Sequence, residues 1–233
     1  MPINLRNPRI FLASRSPRRR ELLTQVGIQF DTIVFRDHPR EDVEVDETPF
    51  AGEVPLDYVQ RVARAKAEYG WRVVTLRKLR SQPVLAADTT LEFDGQIIGK
   101  PTDSEDARAI LRRLSGNTHR VLTAVTVAFE GCAESTLSVS EVRFCTLDEA
   151  TIRAYVATGE PMDKAGAYGI QGHAALFVEN LVGSYSGVMG LPLYETGVLL
   201  QRFGFPPVAA VQKKRLKKRP SSDGSRACFF RVN

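Results

Sequence analysis

Residues 83–101 read PVLAADTTLEFDGQIIGKP, two apolar runs joined by Asp94-Gly95. Asp-Gly is a favoured two-residue hairpin turn, so the segment predicts antiparallel strands with Phe93 opposite Gln96. Continued along the strands, that register sets Thr89 opposite Lys100 and brings Lys100 beside Asp88. Asp88 ends the run VLAAD, where a carboxylate is poor structural filler, and Lys100 would give it a positive neighbour. The plainer alternative is a salt bridge at a strand edge. Helices interleaved with such hairpins point to an α/β fold with a mixed sheet rather than a fully parallel one.

Upstream, PLDYVQRVARAKAEYG (55–70) has helical periodicity, with Val59, Val62 and Ala63 on one stripe and Lys66 at its next position. A lysine there either snorkels or meets an anion. RIFLASRSPRRRELL (9–23) reads as a strand running into a helix capped by Ser16 and opened by Pro17. Arg18, Arg19 and Arg20 put the wrong charge in that first turn, and Arg19 stands where a glutamate would close a capping box. Open amides beside guanidinium groups make a phosphate site; the alternative is a solvated basic helix start. The helix ends at Gly27, QFDTIVFR (29–36) reads as a second strand, and residues 37–54 form an acidic loop bearing Pro and Gly.

Downstream, DSEDARAILRRLSG (103–116) predicts a helix with Ala107, Ile110, Leu111 and Leu114 on its buried face. Strands are expected near 119–129 and 136–146, a helix near 148–158, a strand at 174–182 and a last helix at 192–203. Between them, GEPMDKAGAYGIQG (159–172) sets Glu160, Asp163, Lys164 and Gln171 among glycines. Glycines admit close backbone approach, and Gln171 offers a donor and an acceptor that could read a base edge, unless the segment is simply a glycine-rich surface turn.

The 233 residues are 43% hydrophobic and carry a net charge of +5, enough chain for a substantial core. Residues 212–233 hold eight Lys/Arg against one Asp, which leaves 24 basic and 26 acidic residues in the rest, a balance of −2. The basic character therefore belongs to KKRLKKR (213–219), read as a solvated, disordered appendage that would contact nucleic acid weakly. Three widely spaced cysteines and three histidines form neither CxxC nor HExxH, so neither zinc nor a disulfide framework is suggested. No run approaches the 18 or so apolar residues that span a bilayer, and a cytoplasmic protein with reduced thiols is expected. GxxxxGK[ST] is absent, and no GxGxxG follows a strand. A basic helix start, two lysines and several carboxylates, with no evident Ser, Cys or His nucleophile, suit phosphate chemistry by a carboxylate-held divalent metal and water.

SRSPRRRELL, ARAKA, LAADTTLEFDGQIIGKP, LRRLSGNTHRVLTAV, GEPMDKAGAYGIQG and GSYSGVMGLPLYET together resemble the ordered motifs of the Maf family, over residues 9 to 204. The resemblance implies a nucleoside triphosphate pyrophosphatase related to the inosine triphosphatase fold: an elongated mixed β-sheet flanked by helices, two lobes around a central cleft, and a homodimer. It places that domain at 1–208 and the tail at 209–233. The implied reaction splits the α–β phosphoanhydride with magnesium, or manganese, to give monophosphate and pyrophosphate. Asp88 matches the proton acceptor, Lys66 and Lys100 the cleft lysines, and Ser14, Arg18 and Arg19 the phosphate-binding turn. Glu47 of VDETP matches the glutamate that helps Asp88 with the metal. Arg18, Thr89 and Gln171 match the branch acting on dTTP and UTP. Two alternatives remain: the same fold acting on modified purines such as methylated GTP, or a non-catalytic nucleic-acid-binding regulator. The family is also associated with septum formation.

Overall fold

The computed structural model describes residues 9–33 and 45–205. The basic tail and the acidic loop before Val45 lie outside the described residues. In chain order the elements are β1 (Arg9–Leu12), α1 (Pro17–Gln25), β2 (Gln29–Thr32), α2 (Pro55–Leu76), β3 (Val84–Phe93), β4 (Gln96–Ile98), α3 (Ser104–Leu114), β5 (Thr118–Phe129), β6 (Cys132–Phe144), α4 (Glu149–Ala157), β7 (Val178–Val182), α5 (Tyr185–Val188) and α6 (Leu193–Arg202). The strands form one seven-stranded sheet ordered β2-β1-β3-β5-β6-β7, with β4 also on β3. β1 is parallel to β2 and β3 and the other pairings are antiparallel, so the sheet is mixed, as the interleaved hairpins imply.

β3 organises the molecule. One of its edges pairs with β5 from Val84 to Glu92. The other is shared: β1 pairs with Val84 and Leu85, and β4 pairs with Leu91, Glu92 and Phe93. Among the described residues Ala86 to Thr90 have no strand partner on that side, because the β1 pairing stops at Leu85 and the β4 pairing at Leu91. A cleft opens where they part. Separate cores flank it. Leu91, Ile98, Leu111, Leu114, Phe144 and Ile152 pack together on one side. Ile10, Leu12, Leu23, Leu85, Val127 and Leu199 pack on the other. The sheet thus carries two lobes on one continuous strand.

The same divergence overturns the extended hairpin register. Phe93 does pair with Gln96 across Asp94-Gly95, but the ladder stops at Leu91 and Ile98, so Thr89 never faces Lys100. Gly99 turns away, and its carbonyl accepts from the amide of Gly166 at 2.9 Å. On its other edge Thr89 pairs with Thr123 of β5.

Other boundaries move for local reasons. β6 starts at Cys132, earlier than the expected 136, because Glu130 and Gly131 adopt φ of 48° and 80° and make a tight two-residue turn. The expected strand at 174–182 shrinks to β7, since His173–Phe177 winds into a 3-10 turn. The α3 stripe of Ala107, Ile110, Leu111 and Leu114 is buried as the periodicity requires, beneath an Asp103 cap. Among the described residues Cys145 is free. Among the described residues no helix is long and apolar enough to cross a membrane.

α2 runs six residues past its expected end at Gly70, because that glycine lies against the sheet rather than terminating the helix. A Cβ there would stand 2.7 Å from Val84 Cγ1 and 3.2 Å from Ala13 Cβ. Gly70→Ala gains about 1 kcal/mol of helix propensity but overpacks a buried β-branched neighbour, at a cost of about 1–3 kcal/mol. We expect a lowered thermal midpoint. A raised midpoint would show that the helix can lift off β3 without loss.

Candidate active site

The cleft beside β3 encloses about 1260 Å³. Its wall carries six cationic side chains, Arg15, Arg18, Arg19, Lys66, Lys100 and Lys164, against three carboxylates, Glu47, Asp88 and Asp163. Among the described residues cations outnumber carboxylates on this concave wall, which favours anions. Its two ends differ. Ser14, Arg19, Lys66 and Asp88 make one end polar, while Leu91, Ile97, Val121, Tyr168 and Ile170 make the other largely apolar. Along β3, Asp88 and Leu91 stand roughly 10 Å apart, so one elongated molecule with a charged head and a flat apolar body fits both.

At the polar end, α1 begins as the sequence requires: Ser16 caps it, accepting from the Arg19 amide at 3.5 Å. Ser14 Oγ accepts from the Ser16 amide at 3.2 Å, which folds the Ser14–Ser16 turn beneath the helix start. Arg19 then reaches across the gap left by β3. It donates to Ser14 Oγ at 3.1 Å, to Thr89 Oγ1 at 3.2 Å and to the Gly190 carbonyl at 2.7 Å. All three partners are neutral. Burial pulls the Arg19 pKa below its ordinary value, opposed by the charges of Asp88 and Glu47. Among the described residues this desolvated guanidinium is hydrogen-bonded by neutral acceptors alone, with no carboxylate on its fork that an anion would have to displace. Thr89 is braced behind by Thr123 Oγ1, 3.0 Å away, which itself lies 2.8 Å from the Gly187 carbonyl. Arg18 is looser, with Asp163 at 3.7 Å.

Lys66 projects from α2 and meets the anion that its place on the stripe allowed. Its Nζ donates to Asp88 Oδ1 at 2.9 Å and lies 2.8 Å from Glu47 Oε1. The lysine beside Asp88 is therefore Lys66. Lys100 lines the cleft but is exposed and forms no ion pair among the described residues, since Gly99 has left the sheet. Asp88 is held by a central strand. Glu47 lies on an irregular segment and arrives because the Tyr58 hydroxyl donates to its carbonyl at 2.9 Å. Burial and the nearby Asp88 and Glu47 charges push the Tyr58 pKa up to about 12.

Two carboxylates on one ammonium turn hard oxygen donors toward a common point. Among the described residues no cluster of three His, Cys, Asp or Glu could hold a metal alone. The pair suits a cation such as magnesium, which commonly takes one or two carboxylates and completes its shell with phosphate oxygens and water. The donor chemistry fits.

At the apolar end, Tyr168 is fixed from behind by His119 Nε2, 2.8 Å from its hydroxyl. Burial lowers the His119 pKa to about 4, so this support is neutral at ordinary pH. The loop carrying Tyr168 folds around Glu160, whose carboxylate accepts from the Tyr155 hydroxyl at 3.0 Å and the His173 amide at 3.0 Å. Gly172 is required there, because a Cβ would fall 2.2 Å from Glu160 Oε1. Gln171 is exposed and stands just beyond Ile170, off the cleft wall. Sequence reading missed Thr123, Gly190 and Tyr168. The first two act through bracing contacts that leave no local pattern, and Tyr168 lies within a motif already singled out for its polar residues.

Residues 9–203 match the family model described as Maf-like protein. The chain is 65% identical over 200 residues to the dTTP/UTP pyrophosphatase of Dechloromonas aromatica, covering 86% of this chain and 100% of that one. It is 61% identical over 199 residues to the dTTP/UTP pyrophosphatase of Aromatoleum aromaticum, covering 85% and 97%. Among solved structures, the Ham1 protein of Staphylococcus aureus aligns with a TM-score of 0.40 and 14% identity over 58% of this chain and 71% of that one.

Arg19→Lys keeps the charge but loses the fork that spans Ser14, Thr89 and Gly190. Calorimetric titration with inorganic pyrophosphate should show affinity reduced ~10-fold or more. Unchanged affinity would mean that the anion binds elsewhere.

Proposed function

Because the chain belongs to the Maf family, we propose that it hydrolyses nucleoside triphosphates, dTTP and UTP foremost, to the monophosphate and pyrophosphate. The observation that carries this reading is the arrangement of the cleft: cations and a carboxylate pair at one end of a central strand, and an apolar wall at the other. A triphosphate lies among Arg18, Arg19, Lys66 and Lys100, with the base against Tyr168 and Ile170.

Asp88, with Glu47, would hold the divalent cation. Magnesium, or manganese in its place, would supply Lewis-acid charge stabilisation and a lowered pKa for bound water. Asp88 accepts the proton of a water whose oxygen attacks the α-phosphorus. As that O–P bond forms, the bond from the α-phosphorus to the bridging oxygen breaks, and the electron pair leaves with pyrophosphate. Arg18, Arg19, Lys66 and Lys100 neutralise the charge that develops on the phosphate oxygens. Ser14 and Thr89 set the direction of the Arg19 guanidinium, so its donors are already aimed before substrate arrives.

Base choice falls to the 159–172 loop. Gln171 sits one residue beyond the wall residue Ile170, and we assign it the base edge shared by uracil and thymine. The protein would act in the cytoplasm, where its substrates are. A homodimer is in keeping with Val139 and Val182, 42% and 59% exposed on the same face of the last two strands.

Asp88→Asn preserves shape but removes the proton acceptor and a cation ligand. Turnover of dTTP should fall at least ~1000-fold with the fold intact by circular dichroism. Wild-type product analysis should give pyrophosphate and no orthophosphate; near-normal turnover in the variant, or orthophosphate release, would overturn the mechanism.

Gln171→Ala should reduce kcat/KM for dTTP and UTP ~10-fold more than for CTP, since a base-reading amide is worth about 1–3 kcal/mol. An equal loss on every nucleotide would instead leave selection to the wall of Tyr168 and Ile170.

A further inference from the structure

Of the two carboxylates on Lys66, only Asp88 is placed by the sheet. Residues 45–54 contain no helix or strand and are mostly exposed, and the Glu47 side chain itself is 53% exposed. An exposed irregular segment does not hold a carboxylate in one place by itself, because ordering it costs about 1–2 kcal/mol per residue. Something must fasten it. Tyr58 supplies one hydrogen bond, to the Glu47 carbonyl. Arg61, one turn further along α2, supplies most of the rest. Its Nε and Nη2 donate to the two oxygens of Glu53 at 2.6 and 2.8 Å, its Nη1 to the Asp46 carbonyl at 3.2 Å, and Nη2 also to the Thr48 carbonyl at 3.0 Å. Its guanidinium lies 4.0 Å over the Phe50 ring.

The contacts bracket Glu47 on both sides, at Asp46 and Thr48, and tie both to α2, the helix that carries Lys66. Glu53 completes the device from within the segment: its Oε2 accepts from the Phe50 amide at 3.0 Å, closing the Phe50–Glu53 turn. The Glu53 side chain is only 8% exposed. The hydrogen bonds from Arg61 hold its pKa down to about 2, against the opposing effect of burial, so the bidentate pair stays charged through the working pH range.

We propose that Arg61 is a positioning residue that fixes the Asp46–Glu53 strap so that the Glu47 carboxylate stays on Lys66, facing Asp88. The proposal rests on the reading of Glu47 and Asp88 as the cation-binding pair. Arg61 touches no reacting atom; it acts by keeping the second carboxylate where a cation could use it, and losing such outer support commonly costs 10–100-fold in metal affinity. A lysine cannot replace it, having neither the fork for Glu53 nor the plane for Phe50.

The test compares wild type, Arg61→Ala, Arg61→Lys, Glu53→Gln, Glu47→Ala and the Arg61→Ala/Glu47→Ala double variant. Hydrogen exchange of the 45–54 peptide, without nucleotide, should accelerate in both Arg61 variants and in Glu53→Gln, while the β3 and β5 peptides stay protected. The magnesium concentration for half-maximal dTTP hydrolysis should rise ~10-fold in Arg61→Ala, with kcat at saturating magnesium within about threefold of wild type. In the Glu47→Ala background, Arg61→Ala should change neither quantity further. Unchanged exchange of 45–54, or a full additional loss in the double variant, would overturn the proposal while leaving the hydrolase reading intact. An inactive wild type whose strap is nonetheless loosened by Arg61→Ala would sink the hydrolase reading and keep the clamp.

Discussion

Everything at the cleft follows from one edge of β3 being shared between two strands that do not meet. Had β1 and β4 continued toward each other, Ala86 to Thr90 would have been roofed by backbone pairing, and Asp88 would have been a buried charge in the middle of a sheet. Because β1 ends at Leu12 and β4 at Ile98, that stretch borders a space instead. The two terminations have different causes. On the first side, the chain turns at Ser14–Ser16 and winds into α1, whose cap requires an extended Ser16. On the second, Gly99 gives its carbonyl to Gly166, and Pro101 has no amide to extend the ladder. Each termination also delivers chemistry, Ser14, Arg18 and Arg19 from one and Lys100 from the other.

The cations at this opening are not equivalent. Lys66 is engaged by Glu47 and Asp88, so its charge is shared with the carboxylates until something more positive competes for them. Among the described residues Arg19 is engaged by hydroxyls and a carbonyl alone, so an anion would not have to displace a carboxylate from it. This division matters for transition-state stabilisation, which depends on donors already aimed and not required to leave another anion first. Its rigidity is assembled from distant pieces: Gly190 follows α5, Thr89 is on β3, and Thr123 behind it is on β5.

Much of this was legible in the chain. The α3 stripe, the Asp94-Gly95 turn and the Ser16 cap rest on periods and dipeptides that act over a few residues, and the structure follows them closely. Lys66 was singled out because a lysine on an apolar stripe needs an explanation. Its partner was not legible. Strand register suggested Lys100 for Asp88, and that inference failed because the departure of Gly99 from the sheet depends on Gly166, a contact with no sequence-local signature. Arg61 was missed for a related reason: an arginine on a helix surface reads as solvated unless the irregular segment lying across it is known. Residues whose role is to hold an irregular loop are the least visible in sequence, since a loop without a period leaves no pattern for its anchor to complete.

The two carboxylates therefore differ in kind although they share a lysine. Asp88 inherits its position from a ten-residue strand paired with β5 from Val84 to Glu92, so its placement is as stable as the sheet. Glu47 inherits its position from side-chain contacts to α2, which can open without unfolding the core. A site built this way keeps one carboxylate fixed while the second stands on a support that can open. The cation and the phosphates then need not enter a closed cage past both carboxylates at once. On the proposed reading, Asp88 and Arg19 offer a fixed seat for a phosphate and its counterion, and the strap bearing Glu47 completes the shell at the exposed side. On the proposed reading, the exposure of Glu47 and the burial of Asp88 serve one arrangement: a shielded acceptor acts on a single water, while its partner near solvent lets a charged ligand come and go.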